Sequence, residues 1–253
     1  MHEWAVTHPW SSPSQVEQDL LLTRAICEIA AHPYLGRELI FRGGTALHKL
    51  HLDKPFRYSE DLDYVRSTAG GIGPLVDALR DVGTALGFQT ASLIREHPKV
   101  VWKTTTDDGL PLKIKIEINT HERSPELPVI ALPFQVESRW WTGQVRVRTF
   151  QPPELVATKI RALYQRCKGR DLFDLWLALT KLGLDPENII TAFTPYRPEG
   201  LTASLTIANL EEKLANPKFR VDLDQLVTDM PTDYDIDQAA DLVIQRLLRH
   251  LDD

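Results

Sequence analysis

Two acidic residues, Asp61 and Asp63, stand two apart in "SEDLDYV", a stretch that alternates as a β-strand does. On a strand both carboxylates project to one face while Leu62 and Tyr64 turn to the other. Adjacent carboxylates repel unless a cation lies between them. Hard oxygen donors suit Mg2+, the cation that serves phosphoryl and nucleotidyl transfer. Upstream, Gly43-Gly44 breaks a short apolar run, and "TALHKLHL" restarts a helical pattern with Thr45 near its cap. Backbone N–H groups at a helix N-terminus attract anions, and glycine lets a phosphate approach closely. The glycines fit neither the GxxxxGK[ST] nor the GxGxxG spacing, and a plain turn before an exposed strand is the other reading of the same residues. A third carboxylate comes from "LKIKIEIN". There alternation puts Leu112, Ile114, Ile116 and Ile118 on one face and Lys113, Lys115, Glu117 and Asn119 on the other. Glu117 is then either a solvated side chain or an adjacent strand's contribution to a three-carboxylate cluster.

The elements that position these groups are legible as a mixed pattern. Residues 14–35 read as a helix with Ser14 as cap and Glu17 three residues later. "ELIFR" reads as a short strand, "SEDLDYV" as another, and "GIGPLVDALRDVGTALGF" as an amphipathic helix ended by Gly87. "TASLIREH", "VVWKTTT" and "LPLKIKIEINT" read as three further strands with a turn at "DDG", and "VRVRTF" as the last before a Pro-Pro break. From Pro153 onward the pattern is almost wholly helical, so the composition shifts near residue 150. In "ATKIRALYQRCKGRDLFDLW", Lys159, Arg166 and Arg170 fall at i, i+7 and i+11 and share a stripe if helical phase survives Gly169. Val156, Ile160, Leu163 and Cys167 form the apolar stripe. A cationic row of this kind is a solvated surface or a binding site, and Asp174 is placed to pair with Arg170 at i,i+4.

The chain carries a net charge of −6, which argues against a nucleic-acid binder that uses its whole surface but leaves room for a local basic face. No apolar run is long enough to span a membrane. The N-terminus lacks a signal peptide's basic and apolar regions, and Cys27 and Cys167 are too few for a zinc site, so a cytoplasmic protein with reduced thiols is expected. His48 and His51 at i,i+3 could share a metal, but no third ligand is near in sequence. Trp140-Trp141 could stack bases or pack on an edge strand.

The run from Gly43-Gly44-Thr45-Ala46-Leu47 to Arg57-Tyr58-Ser59-Glu60-Asp61-Leu62-Asp63 resembles the AbiEii/AbiGii family of nucleotidyltransferase toxins, which includes the MenT-type toxins. That family lies within the polymerase-β-like superfamily, where a Gly-Gly or Gly-Ser turn precedes Asp-x-Asp on the next strand. "KIEI" sits where the third carboxylate belongs, and the segment from Lys159 to Asp174 resembles the family's Lys…Arg-Asp-x-x-Asp stretch. The resemblance implies an α/β (α+β) nucleotidyltransferase-type mixed sheet with flanking helices over residues 1–150. A C-terminal all-helical domain over residues 151–253 would complete the nucleotide cleft. It implies Asp61, Asp63 and Glu117 as Mg2+ ligands and catalytic residues, with Lys159 and Asp174 also catalytic. Gly43, Gly44, Thr45, Arg57, Ser59, Lys159 and Arg170 would bind the NTP donor. The implied acceptor is the 3′ end of tRNA, contacted by Lys113, Lys115 and Arg166, and a cognate antitoxin is the implied partner. Two alternatives stay open. One is nucleotide transfer to a small molecule or a protein side chain. The other is a non-catalytic nucleotide-binding module.

Overall fold

The computed structural model describes residues 2–94 and 97–252. The chain forms two compact units. The first comprises residues 1–50, 58–124 and 129–150, and the second residues 51–57, 125–128 and 151–253.

The first unit opens with α1 (His2–Thr7), α2 (Pro13–Ala31) and α3 (Leu35–Glu38), followed by β1 (Leu39–Arg42), α4 (Gly43–Leu50), β2 (Asp61–Arg66) and α5 (Gly73–Ala85). Five strands complete it: β3 (Gln89–Leu93), β4 (Lys99–Thr105), β5 (Pro111–Asn119), β6 (Ile130–Glu137) and β7 (Thr142–Thr149). They form one seven-stranded mixed sheet in the order β3-β4-β5-β2-β1-β7-β6. β2 lies parallel to β5 and antiparallel to β1.

The alternation expected for β5 holds. Leu112, Ile114, Ile116 and Ile118 are buried, and register aligns Leu62 with Ile116 and Tyr64 with Ile118. Val100 and Trp102 of β4 join them, and the Trp102 indole N–H donates to the Leu79 carbonyl of α5 at 3.1 Å. Each large apolar side chain enclosed there contributes about 2 kcal/mol, so a one-residue slip of β5 would forfeit the whole set at once. That cost fixes which residues occupy the other face: Asp61, Asp63, Lys99, Lys115 and Glu117.

Several expected boundaries move. The cap of α2 is Ser12, whose hydroxyl accepts from the Gln15 amide with Pro13 in the first turn, and not Ser14. The helix stops at Ala31 because His32 is extended ahead of Pro33. α4 begins at Gly43, two residues before Thr45. The strand expected over "TASLIREH" ends at Leu93, and Arg95 and Glu96 lie outside the described residues. The sequence reading contained neither α1 nor β6. β6 carries Pro133 and is an edge strand, the position where a missing N–H costs no ladder bond.

The second unit is helical, with α6 (Pro152–Gln165), α7 (Gly169–Thr180), α8 (Pro186–Phe193), α9 (Ala203–Leu214), α10 (Pro217–Arg220) and α11 (Ile236–Arg246). Glu154 of α6 is fully buried. It accepts the Glu126 and Leu127 amides at 3.0 and 2.8 Å and the Tyr196 hydroxyl at 2.5 Å, fastening residues 125–128 into the unit. Helical phase does not survive to Gly169. α6 ends at Gln165 with Arg166 extended, and α7 begins anew.

Candidate active site

The site in the first unit is set by the register of three strands. Asp63 of β2 pairs with Glu117 of β5 on one side and with Arg42 of β1 on the other, and Asp61 pairs with Lys115. Arg42 ends β1, and the chain turns into α4 at Gly43, which has φ of +79°, a conformation that favours glycine. A Cβ on Gly43 would stand 2.3 Å from the Asp63 carboxylate oxygen. The bare α-carbon is thus the floor on which Asp63 rests. Thr45, buried in the first turn of α4, donates its hydroxyl to the Asp61 carbonyl at 2.6 Å and stands 2.7 Å from the Ser59 hydroxyl. Turn, helix start and carboxylate strand are therefore tied together. Ser59 precedes β2 rather than lying on it, so strand alternation does not govern its direction.

Glu117 and Asp61 share a cation. The Lys115 ammonium lies 2.9 Å from Asp61 and 3.0 Å from Glu117, and Lys99 reaches Glu117 at 2.9 Å. Burial opposes the Lys115 charge, but Asp61 and Glu117 outweigh it and hold that pKa above the usual lysine range. Burial likewise pushes the Glu117 pKa up, yet Lys99 and Lys115 prevail and keep it below the usual carboxylate range. About a third of each of Asp61, Lys115 and Glu117 is exposed, so the cluster is open to a ligand. The donor set is all carboxylate oxygen, which fits Mg2+, and it already closes around a positive charge. Among the described residues no three His, Cys, Asp or Glu side chains stand gathered as metal ligands, and the Lys115 ammonium lies against two of the carboxylates. His48 is buried in α4 and His51 lies past its end.

The remaining candidates assemble in the second unit around two fully buried aspartates. Arg57 grips Asp174 with two bonds of 2.7 Å, and Lys159 stands 2.8 Å from Asp174 and 3.3 Å from Asp171. Arg166 binds Asp171 through Nε and Nη2 at 2.6 and 2.7 Å. Lys159 and Arg166 therefore meet through Asp171 and not along a helical stripe. Burial disfavours the Arg57 charge, but Asp174 more than compensates and raises its pKa. Burial likewise pushes Asp171 up, and Lys159 and Arg166 outweigh it so that its pKa lies low. Arg170 turns elsewhere. Its amide donates to Asp222 at 3.1 Å and its guanidinium is 3.9 Å from the same carboxylate. In place of Arg170, Asp174 meets Lys159 and Arg57, the latter 117 residues upstream.

Sequence reasoning passed over Lys99 and Asp171. Asp171 and Asp174 at i,i+3 share a helix face, a signal available in the sequence. Lys99 carried none, because its pairing with Glu117 depends on the β4–β5 register. Of the residues expected to face nucleic acid, Lys115 and Arg166 are held by carboxylates, and Lys113 is exposed. Trp141 packs over Gly143 beneath Arg24, and Trp140 is exposed at the turn between β6 and β7.

Family membership defines a nucleotidyltransferase. A family model described as the nucleotidyl transferase AbiEii toxin of type IV toxin–antitoxin systems matches residues 24–243. The chain belongs to this toxin family, and that membership implies a cognate antitoxin. Among solved structures it is similar to MenT4, a nucleotidyltransferase toxin of Mycobacterium tuberculosis H37Rv. The identity is 17% and the TM-score 0.47, with 94% of this chain and 93% of that one covered. It is also similar to an antigenic nucleotidyltransferase-like protein from Paracoccidioides brasiliensis, at 16% identity and a TM-score of 0.42, covering 78% of this chain and 88% of that one. No curated protein matches. Among the described residues no helix is long and apolar enough to cross a membrane.

Proposed function

We propose that this chain transfers a nucleotide from an NTP to the 3′ end of tRNA in the cytoplasm, and so blocks translation. The observation that carries the site assignment is the register of Asp63 with Glu117 on parallel strands, with Asp61 on the same face. Asp61, Asp63 and Glu117 would hold Mg2+, which supplies Lewis-acid neutralisation of charge on the phosphates when bound. Gly43, Gly44 and Thr45 open α4, and the free N–H groups of its first turn receive phosphate oxygens, with Ser59 beside them.

The chemistry is in-line substitution. The acceptor hydroxyl oxygen forms a bond to the α-phosphorus, the bond from that phosphorus to the bridging oxygen breaks, and pyrophosphate leaves. Glu117 accepts a hydrogen bond from the attacking hydroxyl and orients it. Its depressed pKa suits it to keep a negative charge rather than to store a proton, which passes on to solvent. Lys159, Arg57 and Arg170 take the triphosphate-binding roles that the family resemblance implies. Asp174 orients Lys159 and Arg57 through their ion pairs.

The test incubates purified protein with Mg2+, each labelled NTP and total tRNA, beside small-molecule and protein acceptors. Label entering tRNA and lost after periodate oxidation of the 3′ end is the expected result. Label only on a small molecule or on protein would replace tRNA as the acceptor, and label nowhere would leave a binding module.

A further inference from the structure

Two of the three cations expected to meet RNA are engaged elsewhere: Lys115 lies between two carboxylates and Arg166 lies on Asp171. A different basic surface stands free in the first unit. On β7 the outward row is Gln144, Arg146 and Arg148, while Val145 and Val147 face the other way. The facing row of β6 is Ala131, Pro133 and Gln135, so its single carboxylate is Glu137 at the far end. Arg148 donates to the Arg37 carbonyl, which brings the exposed Arg37 of α3 beside the row, and Arg146 donates to the Ala131 carbonyl at 2.5 Å. A bond to a carbonyl fixes a guanidinium without supplying an opposite charge, and the carboxylate that Arg37 feels, Glu38, is bonded to Arg66 and Thr68.

In a chain of net charge −6 this is unusual. Arg42, Arg57, Arg66, Arg166 and Arg220 each hold a carboxylate, whereas none of Arg37, Arg146 and Arg148 makes an ion pair among the described residues. Three gathered like charges raise the energy of the folded state and lower it only when an anion binds. Register supplies the placement. Phe41 aligns with Thr149 and with Tyr64 on the core face, so Arg146 and Arg148 emerge on the face that bears Asp61 and Asp63, two strands across the sheet, and Glu117, three strands across. Trp140, 54% exposed at the tip of the same hairpin, offers an aromatic plane for an unpaired base.

We infer that Arg37, Arg146 and Arg148 form the docking surface for the phosphate backbone of the RNA acceptor, an inference that rests on the acceptor proposed above. The contacts are sequence-independent, so the surface sets how strongly tRNA is held and not which nucleotide is added.

The experiment compares wild type with R37Q/R146Q/R148Q in three measurements: tRNA binding by fluorescence anisotropy across a salt series, transfer to whole tRNA, and transfer to a CCA-ended oligonucleotide of a few nucleotides. Circular dichroism checks the fold, and R146Q alone, at an exposed position, stands in if the triple variant melts early. The triple variant should bind tRNA about tenfold or more weakly, and its log–log salt slope should be shallower by roughly one for each guanidinium removed. The short oligonucleotide should be extended at the wild-type rate. A folded variant that binds and extends tRNA as wild type does overturns the surface and leaves the acceptor standing. Wild-type protein that labels the short oligonucleotide or another acceptor but neither binds nor labels tRNA overturns the acceptor itself, and the surface with it. Lost binding to a purified acidic antitoxin with tRNA binding intact also overturns the RNA assignment.

Discussion

Replacing Lys115 with methionine removes the ammonium shared by Asp61 and Glu117 and keeps most of its aliphatic length. Two contacts are lost, at 2.9 and 3.0 Å, each between groups about one-third exposed. Solvent screening holds such pairs to roughly 0.2–1 kcal/mol apiece, so the metal-free protein should lose about 1 kcal/mol. For a chain of this size that is about 2–4 °C in melting temperature, measured by circular dichroism in EDTA. The cation site responds in the opposite direction. A neighbouring charge shifts a local ionic equilibrium by about 1–3 log units, and partial exposure argues for the lower end. K115M should therefore bind a divalent ion about tenfold more tightly, read as free Mn2+ by electron paramagnetic resonance without nucleotide. Because both readouts omit turnover, they report on the site and not on a damaged reaction. Unchanged Mn2+ affinity, or affinity that falls, would refute the view that Lys115 occupies the position of the cation.

Asp61→Ala should abolish transfer while the fold persists. Its metal-free melting temperature should hold or fall by a few degrees at most, because Lys115 already offsets the carboxylate repulsion; a loss of more than about 10 °C would indicate a structural role. Gly43→Ala forces a Cβ to within 2.3 Å of the Asp63 carboxylate at φ of +79°, so urea unfolding should show a loss of about 1–2 kcal/mol and transfer should collapse. Wild-type stability in that variant would mean that Asp63 moves freely. Asp171→Asn strips a fully buried charge from Lys159 and Arg166 and should cost about 3 kcal/mol at neutral pH. Because the Asp171 pKa is depressed on folding, the stability it confers is complete above its unfolded value near pH 4 and is lost as pH falls through the lower folded value. The variant should therefore show a flatter acid limb in denaturation, and an unaltered limb would remove Asp171 from the account.

The sheet was legible where burial on one face imposed a period of two. "LKIKIEIN" disclosed both its core row and its polar row, because each isoleucine out of place would cost on the order of 2 kcal/mol. β6 was opaque for the converse reason: it is an edge strand interrupted by Pro133, and its first three residues are half-buried without alternation, which leaves a period of two only over residues 133–137. At the site, residue types and spacing put Asp61 and Asp63 on one strand face and left Glu117 as a candidate third carboxylate, and β2–β5 pairing sets Asp63 beside Glu117 and Asp61 beside Lys115. The cation shared by Asp61 and Glu117 was not legible, since Lys115 lies on the polar face with Glu117 like any solvated lysine and only side-chain geometry brings it to both carboxylates. The Lys159–Arg166–Arg170 stripe failed at Arg166. No proline marks that break, and Gly169 alone does not reveal that the chain has already left the helix. Nor could local spacing pair Asp174 with Arg57, a partner from a distant stretch of chain.

That last pairing bears on how the polypeptide is made. The chain enters the helical unit three times, at residues 51–57, 125–128 and 151–253, so neither unit is a continuous piece of sequence. During synthesis Arg57 leaves the ribosome long before Asp174 exists, and it must remain solvated until the α7 segment arrives. A product that stops short of α6 leaves the Glu126 and Leu127 amides without Glu154, and one that stops short of α7 leaves Arg57 without Asp174. A chain interrupted before α7 therefore lacks both aspartates, Asp171 and Asp174, on which the ion-pair network of Arg57, Lys159 and Arg166 is built. Attempts to prepare the helical unit by cutting at residue 150 lose its buried arginine with the discarded half.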